Sequence, residues 1–316
     1  MKALLALVLA AFTGIASVQA YPTTPVRLII PFPPGGSNDV VGRAIGQQLG
    51  ERLGYSVVVD NRGGAGGIIG TNEAAKAPAD GHTLLLISVA FPTSIAFNRL
   101  PQDIMKSFDP VAMLGSGPAL LVVPASSPAN SVADLLSALR QKPGELNAAA
   151  AGIGSFQHMA TELFRLQSKT NFVIVQYKGG GPALTDTIAG QVQFNLGSLV
   201  QMVPHIRSGK LRALGVSSAK RNAAMPEVPT IAEAGVPGFE VSNWWGIVAP
   251  AGTPRPVLDR LSREVGVILD SPEMRKRFEL EGAEAMRMPP AEMTSFVAKE
   301  TEKWTRVVKE AGIKPE

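Results

Sequence analysis

Residues 26–53 read VRLIIPFPPGGSNDVVGRAIGQQLGERL: a short apolar run, a proline–glycine turn and an amphipathic stretch, in that order. The run 26–31, ended by prolines, predicts a buried parallel strand. Pro33, Pro34, Gly35, Gly36, Ser37 and Asn38 make a turn. Val41, Ile45, Leu49 and Leu53 then fall on one helical face, with Asp39 in the first turn where the helix dipole favours an acid. The plan continues outward. Residues 56–59 predict the next strand, 61–70 (NRGGAGGIIG) a glycine-rich link into a short helix, and 83–88 (TLLLIS) a third strand. Strand, helix, strand, helix, strand implies a parallel sheet with right-handed crossovers.

A second set begins near residues 120–123 (LLVV). Residues 131–140 predict a helix broken by Pro143 and Gly144, and 146–150 a strand, although alanine is a weak strand former. Gly152, Ile153, Gly154 and Ser155 lead into a helix over 156–167, and 172–176 (FVIVQ) is a further strand. After Gly179, Gly180 and Gly181, Pro182 suits the first turn of a helix that Gly190 ends. Residues 191–196 and 211–216 supply more strands, and the tail is helical. Thr253-Pro254 and Ser271-Pro272 read as cap-plus-proline starts. Met293, Phe296, Val297, Glu300, Trp304, Val307, Val308 and Ala311 lie near one face of the last helix.

Composition narrows the function. At 316 residues the chain reads as about two domains, and at 45% apolar and 18% charged it can bury cores. Its 32 glycines have no triplet period, which argues against collagen. No cysteine is present, so disulfides, thiolate metal sites, a cysteine nucleophile and a lipid-modified N-terminal cysteine are excluded. The three histidines, 82, 158 and 205, are too scattered in sequence to suggest a metal site. A net charge of +4 without a Lys/Arg-rich run argues against nucleic acid.

Residues 1–20 read MKALLALVLAAFTGIASVQA. Lys2 is a basic start, residues 3–12 an apolar stretch, and Val18-Gln19-Ala20 a small-residue cleavage signal, so cleavage after Ala20 and a periplasmic location are expected. The alternative, an uncleaved anchor, needs an apolar run of about 20 residues, and Thr13, Gly14, Ser17 and Gln19 interrupt this one. No later segment has a run of that length, so the mature chain is expected to be soluble.

Three times an apolar strand runs into a small-residue turn that opens a helix: 35–38, 152–155 and 179–182. Each helix start carries unpaired amides and the positive end of the helix dipole, and glycine removes the Cβ atoms that would hold a ligand away. Together they make neutral seats for an anion. Capping alone also favours glycine and serine at such places, but three in one exported chain point to a shared ligand. The turns hold no phosphate-binding lysine, so a carboxylate fits better than a polyphosphate. Gly152-Ile153-Gly154-Ser155 is not a nucleophile elbow, because the serine follows the second glycine. His158, three residues on from Ser155, reads as a helix-start hydrogen-bond donor to loop or ligand. Gly64-Ala65-Gly66 lacks the third glycine at the dinucleotide spacing, and no acid ends the strand at Ser88. The Trp244-Trp245 pair reads as core or hinge packing.

These strings together resemble the substrate-binding receptors of tripartite tricarboxylate transporters, the Bug-type receptors. The likeness runs over essentially the whole chain. It rests on Pro31-Phe32-Pro33-Pro34-Gly35-Gly36-Ser37-Asn38-Asp39 with Arg43, on Val59-Asp60-Asn61-Arg62 before Gly66-Gly67, and on Ala79-Asp80-Gly81-His82-Thr83-Leu84-Leu85. It continues in Gly154-Ser155 with His158, Tyr177-Lys178-Gly179-Gly180, Pro204-His205-Ile206, Val228-Pro229-Thr230 and Ala249-Pro250-Ala251-Gly252-Thr253-Pro254.

The resemblance implies an α/β fold of two lobes, a type II-like periplasmic-binding-protein fold. Each lobe would be a mostly parallel sheet flanked by helices, joined by two crossing hinge strands near 121–124 and 244–250. Lobe 1 would take residues 21–122 and 247–316, and lobe 2 residues 123–246. The implied ligand is a small carboxylate held without a cofactor or metal, between a loop contributing Phe32, Gly35, Gly36, Ser37 and Asp39 and one contributing Gly154, Ser155 and His158. Ser88, Ala90, Tyr177 and Ser198 would also face the cleft. Membrane transporter subunits are the implied partner, a signalling partner the alternative, and the receptor is expected to be a monomer. One departure is visible. Where many such receptors carry an acidic residue and an asparagine, this chain has Gly197 and Ser198, which disfavours an amino-bearing ligand. The alanines 148–151 likewise replace more polar residues. The rival readings are a Ser155/His158 hydrolase and a dinucleotide enzyme using residues 64–70.

Overall fold

A computed structural model describes residues 21–310 and 312–313. Residues 1–20, where a leader is expected, and Ala311 lie outside the described residues. The order is β1 (Val26–Ile30), α1 (Ser37–Leu53), β2 (Val57–Asn61), α2 (Ile68–Ala75), β3 (Thr83–Ser88), α3 (Ala90–Ala96) and β4 (Phe108–Pro124). Then come α4 (Val132–Gln141), β5 (Asn147–Ala150), α5 (Phe156–Ser168), β6 (Val173–Gln176), α6 (Gly180–Ile188), β7 (Phe194–Ser198), α7 (Leu199–Arg207) and β8 (Leu211–Val216). The chain finishes with β9 (Ser242–Pro250), α8 (Arg255–Asp270), α9 (Pro272–Glu281), β10 (Glu284–Ala285) and α10 (Pro290–Glu310).

The strands lie in the order β2-β1-β3-β9-β4-β7-β5-β6, with β8 and β10 also paired to β4. Strands β2, β1 and β3 are parallel, as are β6, β5 and β7. Two parallel sheets of helix-linked strands thus share one long strand. β4 runs antiparallel to β9 from Phe108 to Pro118, and from Ala119 onward to β7 and β8. It therefore changes partners between Pro118 and Ala119, ahead of the division expected after residue 122. β9 pairs with β3 and β4 of the first sheet along its whole length.

β4 is much longer than the sequence reading of residues 120–123, because Pro110, Gly115, Gly117 and Pro118 look like strand breakers. They are accommodated by register shifts between Pro110 and Ala112 and between Met113 and Gly115. At Gly115 a Cβ would run into the Glu284 carbonyl at 2.6 Å, so glycine is what lets β10 dock there. Two further expectations shift. The strand placed at 191–196 is Phe194–Ser198, since the Gln191 amide is still bonded back to the Asp186 carbonyl. Thr253 does not cap α8; its hydroxyl donates to the Pro250 carbonyl at 2.7 Å. Ser131 and Ser271 do cap, each accepting an amide three residues on.

Val41, Ile45, Leu49 and Leu53 of α1 are buried together with β1, β3 and α8. A second apolar cluster runs from β3 through β4 into α5 and β7, so the two sheets share a core across the strand that links them. α10 closes the first lobe against α3 and β4. Its Glu300 carboxylate accepts from both Trp244 and Trp304 at 3.1 Å, pinning the helix to β9.

Candidate functional site

The strand ends and helix starts built by these crossovers converge on one cleft. In the first lobe, the chain leaves β1 through Phe32 and turns at Gly35, whose φ of +82 is one that L side chains rarely adopt. The Gly35 amide donates to the Asp39 carboxylate at 3.0 Å, and Asn61 donates to Asp39 at 2.9 Å and to the Phe32 carbonyl at 3.0 Å. Burial would raise the Asp39 carboxyl, but Arg43 at 2.9 Å, the Gly35 amide and Asn61 outweigh it and hold it below its ordinary value. Asp39 thus organises the loop. The first intrahelical hydrogen bond is donated by Asp39 to the Gly36 carbonyl at 3.0 Å, so the amides of Ser37 and Asn38 lie ahead of it.

In the second lobe, Ser155 caps α5 by accepting the His158 amide at 3.2 Å. The Gly154 amide donates to His158 Nδ1 at 3.2 Å. Burial and the Arg165 guanidinium push the His158 imidazole down to about 4. Glu162 Oε1 stands 3.7 Å from Nε2, but its carboxylate is already paired with Arg165, which cancels much of its field. The imidazole holds the loop, and the loop reaches the other lobe. The Gly154 carbonyl accepts from the Thr93 hydroxyl, and the Ile153 carbonyl from Arg99 at 3.3 Å. Beside it the start of α6 presses glycine on glycine: a Cβ at Gly36 would stand 3.7 Å from the Gly180 Cα.

Between these loops lies a narrow cavity, with about 30 Å³ open to the centre of a water-sized sphere. Phe32, Gly36, Ser37, Ser88, Ala90, Ser155 and Ser198 line it. So do Asn38 and Gly180, which lie in turns read above as anion seats, and Ala151, Phe156, Gln157, Gln201 and Asn243, which were not singled out as site residues. Asn38 and Gln157 carried a usable signal, being polar residues in the first turn of helices already singled out. Asn243 carried none, because only the sheet brings β9 beside α1. Gly35, Asp39, Gly154, His158 and Tyr177 stand outside the lining. The first four shape the two loops, and the Tyr177 hydroxyl donates to Asp186 at 2.8 Å, which together with burial pushes it up to about 12.

No ionisable side chain lines the cavity. It is ringed instead by the starts of α1, α5, α6 and α7, whose dipoles favour negative charge. Three of its buried side-chain oxygens have no partner: Gln157 Oε1, Ser198 Oγ and Asn243 Oδ1. Each orphan costs about 1–3 kcal/mol unless something in the cavity meets it. Among the described residues no group of three or more His, Cys, Asp or Glu could hold a metal. The rival chemistries lack their geometry. His158 Nδ1 takes the Gly154 amide and the Ser155 hydroxyl takes the His158 amide, so the ring does not address the hydroxyl as a base. Gly66 and Gly67 pack against the Ile153 carbonyl and the Phe32 ring, where a dinucleotide loop would need open space.

Residues 41–313 match the family described as "Tripartite tricarboxylate transporter family receptor". The chain belongs to that family. It is a family of binding proteins and not of enzymes. The receptor is similar to BugT of Bordetella pertussis, 38% identical over 96% of this chain and 95% of that one. Among solved structures it is similar to Rpa4515 of R. palustris with adipate, at 38% identity and a TM-score of 0.89, covering 94% of this chain and 100% of that one. MatC from Rhodopseudomonas palustris with bound malate is 33% identical, with a TM-score of 0.85, covering 91% and 100%. The fold is accordingly the periplasmic-binding-protein fold.

The receptor's glycine at 197 has a packing reason. A Cβ there would meet the Met202 side chain, and Gln157 Nε2 at 2.6 Å. An acidic residue in that place would displace Gln157 from the cavity wall.

Proposed function

We propose that this receptor captures a small carboxylate in the cavity between its lobes and presents the closed form to membrane transporter subunits. The observation that carries the reading is a neutral, dipole-ringed cavity containing three unpartnered buried polar atoms. Free amides at four helix starts replace the water around a carboxylate with fixed donors. A hydrogen bond to a charged group contributes about 1.5–3 kcal/mol net, so four to six supply much of the roughly 8 kcal/mol of micromolar binding. The adipate and malate held by two relatives support the same ligand class.

On this reading Phe32, Ser37, Ser88, Ser155 and Ser198 touch the ligand, while Asp39 and His158 hold the loops that do. The lobes divide where β4 changes partners, at Pro118–Ala119, and where β9 begins at Ser242. Capture works by population shift: only the closed form brings both loops onto the ligand. Export follows cleavage after Ala20, and the receptor acts as a monomer.

Calorimetry of the mature protein against aliphatic and aromatic mono- and dicarboxylates tests this. At least one should bind with micromolar or tighter affinity. Silence from the whole panel at millimolar concentration would overturn the reading.

A further inference from the structure

We propose that the cavity selects carboxylates that also carry a hydrogen-bond donor, a hydroxyl in the simplest case, because Gln157 presents a carbonyl oxygen whose orientation is locked from behind. The proposal rests on the carboxylate reading above and adds the second half of the ligand's chemistry.

The lock is a relay of hydrogen bonds. Thr187 Oγ1 lies 2.7 Å from the Ala183 carbonyl oxygen. A carbonyl has no proton, so the one between them belongs to Thr187, and Thr187 Oγ1 accepts from its other neighbour. That neighbour, at 3.0 Å, is the amide nitrogen of Asn195. The Asn195 oxygen consequently faces Gln157 at 2.9 Å, and the Gln157 atom there is its nitrogen. What remains is Gln157 Oε1, buried on a cavity-lining residue and without a partner. Thr187 and Asn195 are 0% exposed and Gln157 is 4% exposed, so bulk water does not reorient the relay.

On the first lobe's wall a second relay ends the opposite way. The Trp245 indole N–H can only donate, and it lies 3.2 Å from Asn38 Oδ1. Asn38 therefore turns its nitrogen to Ser88 Oγ, at 3.2 Å. Ser88 accepts and keeps its own proton to give. The cavity thus has a fixed donor at Ser88 and a fixed acceptor at Gln157. Asn243 repeats the second polarity, its nitrogen 3.5 Å from Ser37 Oγ and its oxygen unpartnered. A bare carboxylate answers Ser88 but sets oxygen against oxygen at Gln157. A hydroxyl on the ligand, turned toward Gln157, satisfies both walls.

The test uses matched probes on the mature wild-type protein: propionate and lactate, succinate and malate, benzoate and 4-hydroxybenzoate, by calorimetry. In any pair that binds, the hydroxylated member should bind about tenfold tighter or more, as expected when a buried acceptor is otherwise left unpaired. Thr187→Val, which frees Asn195 and Gln157 to turn over, should shrink that ratio several-fold while the plain carboxylate keeps its affinity. Equal affinities within every binding pair would overturn the proposal while leaving the carboxylate reading intact, a water having met Gln157 instead. Should none of the probes nor any other carboxylate bind at millimolar concentration, the reading beneath it falls and takes the proposal with it.

Discussion

Gly181, in the first turn of α6, faces the Pro34 carbonyl oxygen across the cleft so closely that no side chain fits between them. Pro34 belongs to the first lobe's loop and Gly181 to the second lobe, so their contact exists only while the lobes are together.

Gly181→Ala separates closure from folding. Alanine in a helix is favoured over glycine by roughly 0.5–1 kcal/mol, so the open protein loses nothing. Closure must bring the new methyl group against Pro34. The expected result is an unchanged or slightly raised melting temperature with carboxylate affinity weakened about tenfold or more. Unimpaired affinity would show that ligand capture does not use this contact.

Ser155→Ala tests the division between side-chain and backbone roles. The Ser155 hydroxyl accepts the His158 amide and keeps its own proton to give, so its loss removes a helix cap, about 1 kcal/mol, together with one donor to the ligand. Urea unfolding should register that decrease. Carboxylate binding should weaken about tenfold without being lost, because the amides of Phe156 and Gln157 remain.

His158 predicts how stability depends on pH. Unfolded, an imidazole takes its proton near 6.5; buried here it does so only at about 4. Between those values the unfolded chain binds more protons, so stability is complete above pH 6.5 and falls as pH drops toward 4. By pH 5 the loss from this group is about 2 kcal/mol, at 1.36 kcal/mol per pH unit. Burial raises the Glu162 carboxyl, and its uptake of a proton in the folded state opposes the effect near the acid end. Urea titrations at pH 7 and pH 5 should show wild type losing more than His158→Gln by about this amount; parallel losses would remove His158 as the cause.

The loops were more legible than the cavity wall. Pro33 to Asn38 and Gly152 to Ser155 announce themselves, because a strand that must turn into a helix within a few residues needs glycine and a cap. The starts of α3 and α7 did not. Pro92 lies within α3 and Pro204 within α7, and both helices follow their strands with almost no link, so neither reads as a separate element. Tyr177 misled in the other direction. It follows β6 at the right place to enter the cleft, but Asp186, nearly two helix turns into α6, takes its hydroxyl instead.

The order of apolar runs and glycine turns by itself determined the α/β architecture and the presence of anion-favouring helix starts, since both depend on neighbours in the chain. Which polar atoms face the ligand, and with which polarity, only the tertiary structure decided. A side-chain amide has no preferred direction until its partners are in place, and those of Gln157 and Asn38 come from Asn195 and Trp245, far away in sequence.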